Sequence, residues 1–313
     1  MRILILGAGA LGGYFGGRLL EGGASPVFLV RPRRREQLAR DGLVIESPFG
    51  ALRRPVETVT AETVGPGWDV VLLSCKAYDL EDSIAAIRPA VDGRTAILPV
   101  LNGLTHIQAL EAAFGQGRVL GGLARINATL TPDGTIRHFD QFRAITFGEL
   151  DGTMSPRVEA LQAAFRAAPN DSVQARAVPD IRAQMWDKLV FLGTLAAASV
   201  LMRATLGEIV RGGGTALLQR MLEGSATAAE AAGYPLKPAA LDSYRKMFAD
   251  PGSGANASML RDLEAGGRIE VDHVVGTLLE AVRAAGVDPT LHEAAYVHGK
   301  SYEQRRAAGR LPR

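Results

Sequence analysis

The sequence predicts an α/β protein: an N-terminal Rossmann-type domain built on a mostly parallel sheet, followed by a C-terminal all-α domain. Three observations predict this. The apolar run Met1–Leu6 breaks into Gly7-Ala8-Gly9-Ala10-Leu11-Gly12, and a helical pattern follows through Tyr14, Phe15, Arg18, Leu19 and Leu20. Strand-like and helix-like segments then alternate over the first hundred or so residues. From Asp180 onward almost every segment has helical periodicity.

The elements follow in order. Val27–Val30 reads as a second strand and Glu36–Arg40 as a helix. Leu43–Ile45 and the stretch around Val56 read as short strands, added antiparallel. Asp69–Ser74 is a strand ending at Cys75-Lys76, with a helix over Leu80–Ile87. Ala96–Leu101 is a strand ending at Asn102-Gly103, with a helix through Ile107 and Leu110. The pattern then changes. Val119–Gly122, Ile126–Leu130, Thr135–His138 and Ile145–Phe147 read as four strands, with a turn at Pro132-Asp133-Gly134. Leu161–Ala167 reads as helical. The character shifts near Val178-Pro179, dividing a dinucleotide-binding domain over 1–178 from a helical substrate and catalytic domain over 179–313. Breaks within the latter fall at Gly212–Gly214, Gly233–Pro235, Asp250–Gly252 and Gly266-Gly267. The basic tail from Tyr302 to Arg313 is expected to fray.

Composition narrows the function classes. The 313 residues are 47% hydrophobic and 22% charged, as in ordinary globular proteins. A net charge of +2 argues against nucleic acid bound through bulk charge. The single cysteine, Cys75, excludes a disulfide framework and a cysteine-based metal site, and fits a cytoplasmic setting. The first apolar run is too short for a signal peptide and leads into a glycine turn. The longest apolar stretch, Leu189–Met202, falls short of the about 20 residues that span a bilayer, so it reads as a buried core helix and no membrane partner is expected. Histidines 106, 138, 273, 292 and 298 have no ligand spacing, so no metal is expected. Leu217, Leu218, Met221 and Leu222 form a stripe that reads as core before a dimer face, leaving a homodimer as an alternative.

The glycine loop carries the first functional signal. Gly7 allows a tight turn, Gly9 close approach of a pyrophosphate, and Gly12 close packing of helix on strand. The helix N-terminus, with Ala8, Ala10 and Leu11 beside these glycines, offers free N–H groups to phosphates. The second strand ends in Val30-Arg31-Pro32-Arg33-Arg34-Arg35, without the carboxylate that would bond the ribose hydroxyl of NAD. Arg31 at that position suits the 2′-phosphate of NADPH, the alternative being a solvated basic loop. Hydride transfer to a carbonyl leaves an alkoxide that needs a proton. Lys76 at a strand end lies within reach of a cofactor. Lys188, in Trp186-Asp187-Lys188-Leu189, enters the long apolar helix and reads either as a proton donor or as a snorkelling surface lysine.

GAGALGG at the N-terminus, CKAYD around Lys76, LNG at Leu101–Gly103, WDKL at Trp186–Leu189 and NASMLRDLEAGGRIEVD at Asn256–Asp272 together resemble the ketopantoate reductases (2-dehydropantoate 2-reductases). The resemblance covers essentially the whole chain. It implies a small-molecule 2-oxo acid substrate, NADPH as cofactor, a place in pantothenate biosynthesis, and an active site between a Rossmann domain and a helical domain. Lys188 is then the general acid. Glu270 orients that lysine or bonds the substrate hydroxyl and cofactor ribose, and Ser258 bonds the substrate carboxylate. Asn102 sits between nicotinamide and substrate, Arg31 and Lys76 serve the cofactor, and Asp262 braces the site. Without that context Glu270 reads as a solvated carboxylate after a Gly-Gly turn.

One departure stands out. The resemblance leads one to expect asparagines four and eight residues past the lysine, facing the substrate. Here those positions are Leu192 and Ala196, on the lysine's face of the helix. Three alternatives follow: other groups hold ketopantoate, the substrate is a less polar 2-oxo acid or ketone, or the chain is a non-catalytic NADP-binding regulator. A β-hydroxyacid or glycerol-phosphate type dehydrogenase is also conceivable, but NASM and RIEVD at their spacing speak against it.

Overall fold

The strand Ile3–Leu6 (β1) has its first three residues fully buried, as the middle strand of a parallel sheet must. The computed structural model describes residues 1–311. After β1 come α1 (Ala10–Glu21), β2 (Val27–Leu29), α2 (Pro32–Asp41), β3 (Leu43–Glu46), β4 (Leu52–Arg54), β5 (Glu57–Val59), β6 (Val70–Leu73), α3 (Leu80–Ile87) and β7 (Ala96–Pro99). Five of these strands form one parallel sheet in the order β5-β2-β1-β6-β7. Leu6 pairs with Leu29 on one side and Leu73 on the other, so the strand order reverses at β1. Ligands of open α/β sheets bind at the carboxyl ends of strands beside such a reversal, and the glycine loop begins there.

The chain continues through α4 (Thr105–Phe114), β8 (Leu120–Leu130), β9 (Thr135–Glu149), α5 (Pro156–Arg166) and β10 (Gln174–Ala177). A second sheet runs β10-β9-β3-β4, with β8 antiparallel to β9. α1 lies between the sheets: Gly16 faces Ile5 and Phe28 of the first, and Gly17 faces Ile45 and Leu52 of the second. Both sheets and α1 contribute to one apolar core.

Three local expectations change. Helix α2 begins at Pro32, not Glu36, so Arg33, Arg34 and Arg35 are helical. Proline at a first helical position is pre-set for the helix and loses no bond there. The strand near Val56 is β5, which joins β2 in parallel in the first sheet. Pro55, between β4 and β5, cannot donate to a ladder and ends the antiparallel pairing. The four short strands over 119–147 are two long ones, of 11 and 15 residues. An irregularity between Ile126 and Ala128 interrupts the alternation without ending the ladder.

The remainder is helical: α6 (Ile181–Met202), α7 (Leu206–Arg211), α8 (Thr215–Ala231), α9 (Pro238–Met247), α10 (Ser258–Glu264), a π-helical turn over Asp272–Gly276, α11 (Thr277–Ala284) and α12 (Thr290–Ala307). By packing, one compact unit comprises Met1–Leu101 and His106–Ile181; the other takes Asn102–Thr105 with everything from Arg182. The helical unit has its own core. Leu218, Met221 and Leu222 are fully buried in it, and Leu217 packs against it. Helix α6 is apolar and long enough to cross a membrane by composition, but 61% of that stretch is buried in the fold, as in a core helix. The tail does not fray where expected: α12 runs to Ala307, and Tyr302 Oη donates to Gly267 O over 2.8 Å. Its basic residues Arg305 and Arg306 lie in the last turn, where cations suit the helix dipole. The last two residues of that tail, Pro312 and Arg313, lie outside the described residues.

Candidate active site

The sequence-predicted residues fall into two groups, one in each unit. In the first unit the turn after β1 starts at Gly7, whose φ of +90° is left-handed and favours glycine. Its N–H donates to Leu29 O over 2.9 Å, and Ser74 Oγ donates to Leu6 O over 3.0 Å. A Cβ on Gly12 would lie 2.3 Å from Gly7 O and 2.4 Å from Ser74 Oγ, so only glycine lets α1 come this close. Gly9, the N-cap of α1, is different: a Cβ there would meet nothing within 4 Å. The space beside it is open, and the first turn of α1, Ala10 and Leu11 included, carries no acidic residue. Unbonded helix-start N–H groups beside open space, with Ala8 and Gly9 free of bulky side chains, fit a pyrophosphate.

Arg31 caps α2 without a side-chain cap bond, and its largely exposed guanidinium lies 3.1 Å from Asp79 Oδ2. Asp79 ends the short 3₁₀ turn Ala77–Asp79 that Lys76 precedes, so Arg31 and the Lys76 segment come together. Arg34, one turn on, is half-buried and donates to Ala8 O over 3.1 Å. Burial pushes its pKa below the ordinary arginine value.

In the second unit, Lys188 Nζ on α6 donates to Asn102 Oδ1 over 3.0 Å. Asn102 is held there by the next residue. Gly103 has φ +83°, and a Cβ on it would lie 2.0 Å from His273 O. The loop therefore rests directly on the π-helical turn that follows Glu270. One helix residue before Lys188, Asp187 accepts from Tyr244 Oη at 3.0–3.1 Å, fixing that turn of α6 against α9.

Beside Asn102 lies a concavity of about 220 Å³ lined by Asn102, Leu192, Ala196, Ala257, Ser258, Met259, Glu270 and Val274. It thus gathers five of the predicted residues, Asn102, Ser258 and Glu270 with Leu192 and Ala196. The lining combines polar residues, Asn102, Ser258 and the buried Glu270, which is 5% exposed, with apolar ones, Leu192, Ala196, Ala257, Met259 and Val274. Asp262 stands one turn along α10 from Ser258, outside this lining. Among the described residues no group of three or more His, Cys, Asp or Glu could hold a metal ion.

Sequence reasoning missed Val274, Ala257, Met259 and the bond from Arg34 to the loop. Val274 follows Glu270 by four residues, a one-turn spacing that signals a shared face. Ala257 and Met259 flank Ser258 in the NASM segment. Nothing in the arginine run itself distinguished Arg34.

Comparison with known proteins agrees with this layout. The family described as ketopantoate reductase PanE/ApbA matches residues 3–152, and its C-terminal part matches 180–303. The oxidoreductase YkpB of Bacillus subtilis is 34% identical over 304 residues, covering 97% of this chain and 99% of its own. The 2-dehydropantoate 2-reductase of Mesorhizobium japonicum is 30% identical, covering 90% of this chain and 92% of its own. A solved 2-dehydropantoate 2-reductase from Geobacter metallireducens superposes with a TM-score of 0.85 at 28% identity, over 96% of this chain and 99% of that one. The chain belongs to the ketopantoate reductase PanE/ApbA family and is an oxidoreductase of that family.

Proposed function

We propose that the protein reduces the ketone of a small 2-oxo acid to a 2-hydroxy acid with NADPH, and that 2-dehydropantoate, the substrate named for its relatives, is the first to test. The observation that carries this reading is the Lys188–Asn102 pair beside a concavity lined by Asn102, Ser258 and Glu270. A reduced nicotinamide supplies hydride when bound. Gly7–Gly12 would hold its pyrophosphate, Arg31 would read the 2′-phosphate, Lys76 would serve the cofactor near Arg31, and Asn102 would sit between the nicotinamide and the substrate. Lys188 Nζ hydrogen-bonds the ketone oxygen, steadies the growing alkoxide charge and gives it a proton. Ser258 bonds the substrate carboxylate. Glu270 accepts from the substrate hydroxyl or the cofactor ribose and keeps Lys188 oriented. On this reading the enzyme works in the cytoplasm, in pantothenate biosynthesis, alone or as a homodimer.

A second reading is favoured by Leu192 and Ala196. An apolar wall offers no hydrogen bond to a substrate hydroxymethyl group, and a site that lacks such a partner selects weakly for it. A 2-oxo acid with a branched aliphatic or aryl side chain fits that wall better. Following NADPH and NADH oxidation with ketopantoate, branched 2-oxo acids, phenylglyoxylate and a 3-oxo acid separates the readings. Preference for ketopantoate supports the first, and preference for the apolar 2-oxo acids supports the second. Oxidation with 3-oxo acids alone, or with none of the panel, rejects both.

A further inference from the structure

Arg34 holds three pieces of the first unit together. Its Nε donates to Ala8 O over 3.1 Å, and its Nη1 donates to Gly134 O over 3.1 Å and to Gln37 Oε1 over 2.7 Å. Gln37 Nε2 in turn donates to Asp133 O over 2.7 Å. The glycine loop, α2 and the β8–β9 turn are thus joined through one guanidinium. That turn is itself firm: Thr131 N–H donates to Thr135 O over 2.9 Å, and Asp133 accepts from both threonine hydroxyls. Nη2 is buried too, so the guanidinium does not reach out toward solvent.

The bond to Ala8 has a directional consequence. Among the described residues no peptide bond is cis. In a planar trans peptide the carbonyl and the following N–H point in opposite directions. Holding the Ala8 carbonyl toward Arg34 therefore turns the Gly9 N–H to the opposite side. The position that a Gly9 Cβ would take is also open, so no side chain there bars an anion from approaching this turn. A flip of this one peptide would offer the phosphate a carbonyl oxygen in place of a donor.

We propose that Arg34 is a positioning residue for dinucleotide binding, locking the Ala8–Gly9 peptide so that the Gly9 N–H faces the pyrophosphate, and that it does not read the 2′-phosphate. This rests on the dinucleotide reading above. Because the pyrophosphate is common to both nicotinamide dinucleotides, removing Arg34 weakens NADPH and NADH by the same factor.

The test measures dissociation constants for NADPH and NADH, with KM and kcat, for wild type, Arg34→Met, Arg34→Lys and Arg31→Ala. Expected for Arg34→Met is a parallel loss of about tenfold for both dinucleotides, the size of one hydrogen bond to a charged group, with kcat at saturation retained. Arg34→Lys keeps the charge but offers a point donor in place of a fork, and loses less, again in parallel. It also serves if Arg34→Met does not fold. Loss confined to NADPH, or no loss in a folded variant, overturns the proposal. Arg31→Ala tests the underlying reading separately: it should weaken NADPH alone. A wild-type protein that binds neither dinucleotide overturns that reading and this inference together, whereas wild-type binding unaffected by Arg34→Met and Arg34→Lys overturns only the inference.

Discussion

Lys188 Nζ donates to Asn102 Oδ1 over 3.0 Å, a bond between residues 86 positions apart in the chain. The acceptor is a neutral amide oxygen. It accepts from the ammonium group and so fixes its direction. Asn102 is in place because Gly103 lies against the π-helical turn, and a π-turn in this position is a common feature of functional sites.

Replacing Lys188 by Ala should lower kcat by about two to four orders of magnitude, the usual worth of a positioned general acid, with NADPH affinity unchanged. Asn102→Ala should fall between that variant and wild type, because the lysine remains but its orientation is lost. Steady-state rates and nucleotide titration measure both. Unchanged turnover in Lys188→Ala would remove this residue from the mechanism.

Leu192 lines the concavity, and Leu192→Asn restores an amide there. The ratio of kcat/KM for ketopantoate over an unhydroxylated branched 2-oxo acid should rise about tenfold, as expected for one added hydrogen bond. Competition assays with the two substrates read this ratio. A ratio that stays put means this wall does not select the substrate.

Gly9 and Gly12 should respond differently to the same added methyl group. At Gly12 a Cβ would lie 2.3 Å from Gly7 O, so Gly12→Ala should cost about 1–3 kcal/mol of stability, as overpacking does. At Gly9 nothing lies within 4 Å, so Gly9→Ala should fold as wild type yet bind NADPH more weakly. Denaturant melts and nucleotide titrations distinguish the two. Equal affinity for NADPH in folded Gly9→Ala would argue against pyrophosphate at this loop.

His292 is buried within the helical unit, 2% exposed, with Nε2 3.0 Å from Ser225 Oγ. Ser225 Oγ also lies 2.8 Å from Met221 O and 2.7 Å from Thr194 Oγ1, so the ring sits in a buried hydroxyl network. Burial pushes its pKa down to about 4. In the unfolded chain it protonates near 6.5, so between these values the unfolded state binds more protons. Its contribution is therefore intact above pH 6.5 and is lost as pH falls toward 4, by about 3 kcal/mol in total. Urea unfolding at pH 7.5 and pH 5 should show about 2 kcal/mol of this loss, and His292→Gln should flatten it. Parallel losses in variant and wild type would rule the histidine out.

The glycine loop and the strand–turn–helix around it were legible because their signals are local: a buried apolar run, three glycines at fixed offsets, and helical periodicity. The start of α2 was misread because four arginines look like solvated loop, while Pro32 is the residue that starts the helix. Two long strands were read as four for two reasons: Gly121-Gly122 closed the first early, as glycine weakens a strand pattern, and the register shift between Ile126 and Ala128 falls opposite 139–142, where the second was broken. The tail was read as frayed from its charge alone, although Tyr302 reaches across to Gly267 O.

By itself the sequence determined the order of an α/β part and a helical part and the strand–turn–helix at the glycine loop, since both rest on residue types at short, fixed spacings; the reading of Lys188 as a proton donor came from the family resemblance and not from spacing. Only the tertiary structure decided which distant residues meet. It brought Asn102 to Lys188, gathered Leu192, Ala196, Ser258 and Glu270 around one concavity, and placed Arg34 beside Ala8. The physical reason is that these contacts depend on long-range packing. They arise from a glycine that tolerates a carbonyl at its face, and from a guanidinium whose fork happens to span two loops, and neither leaves a pattern along the chain.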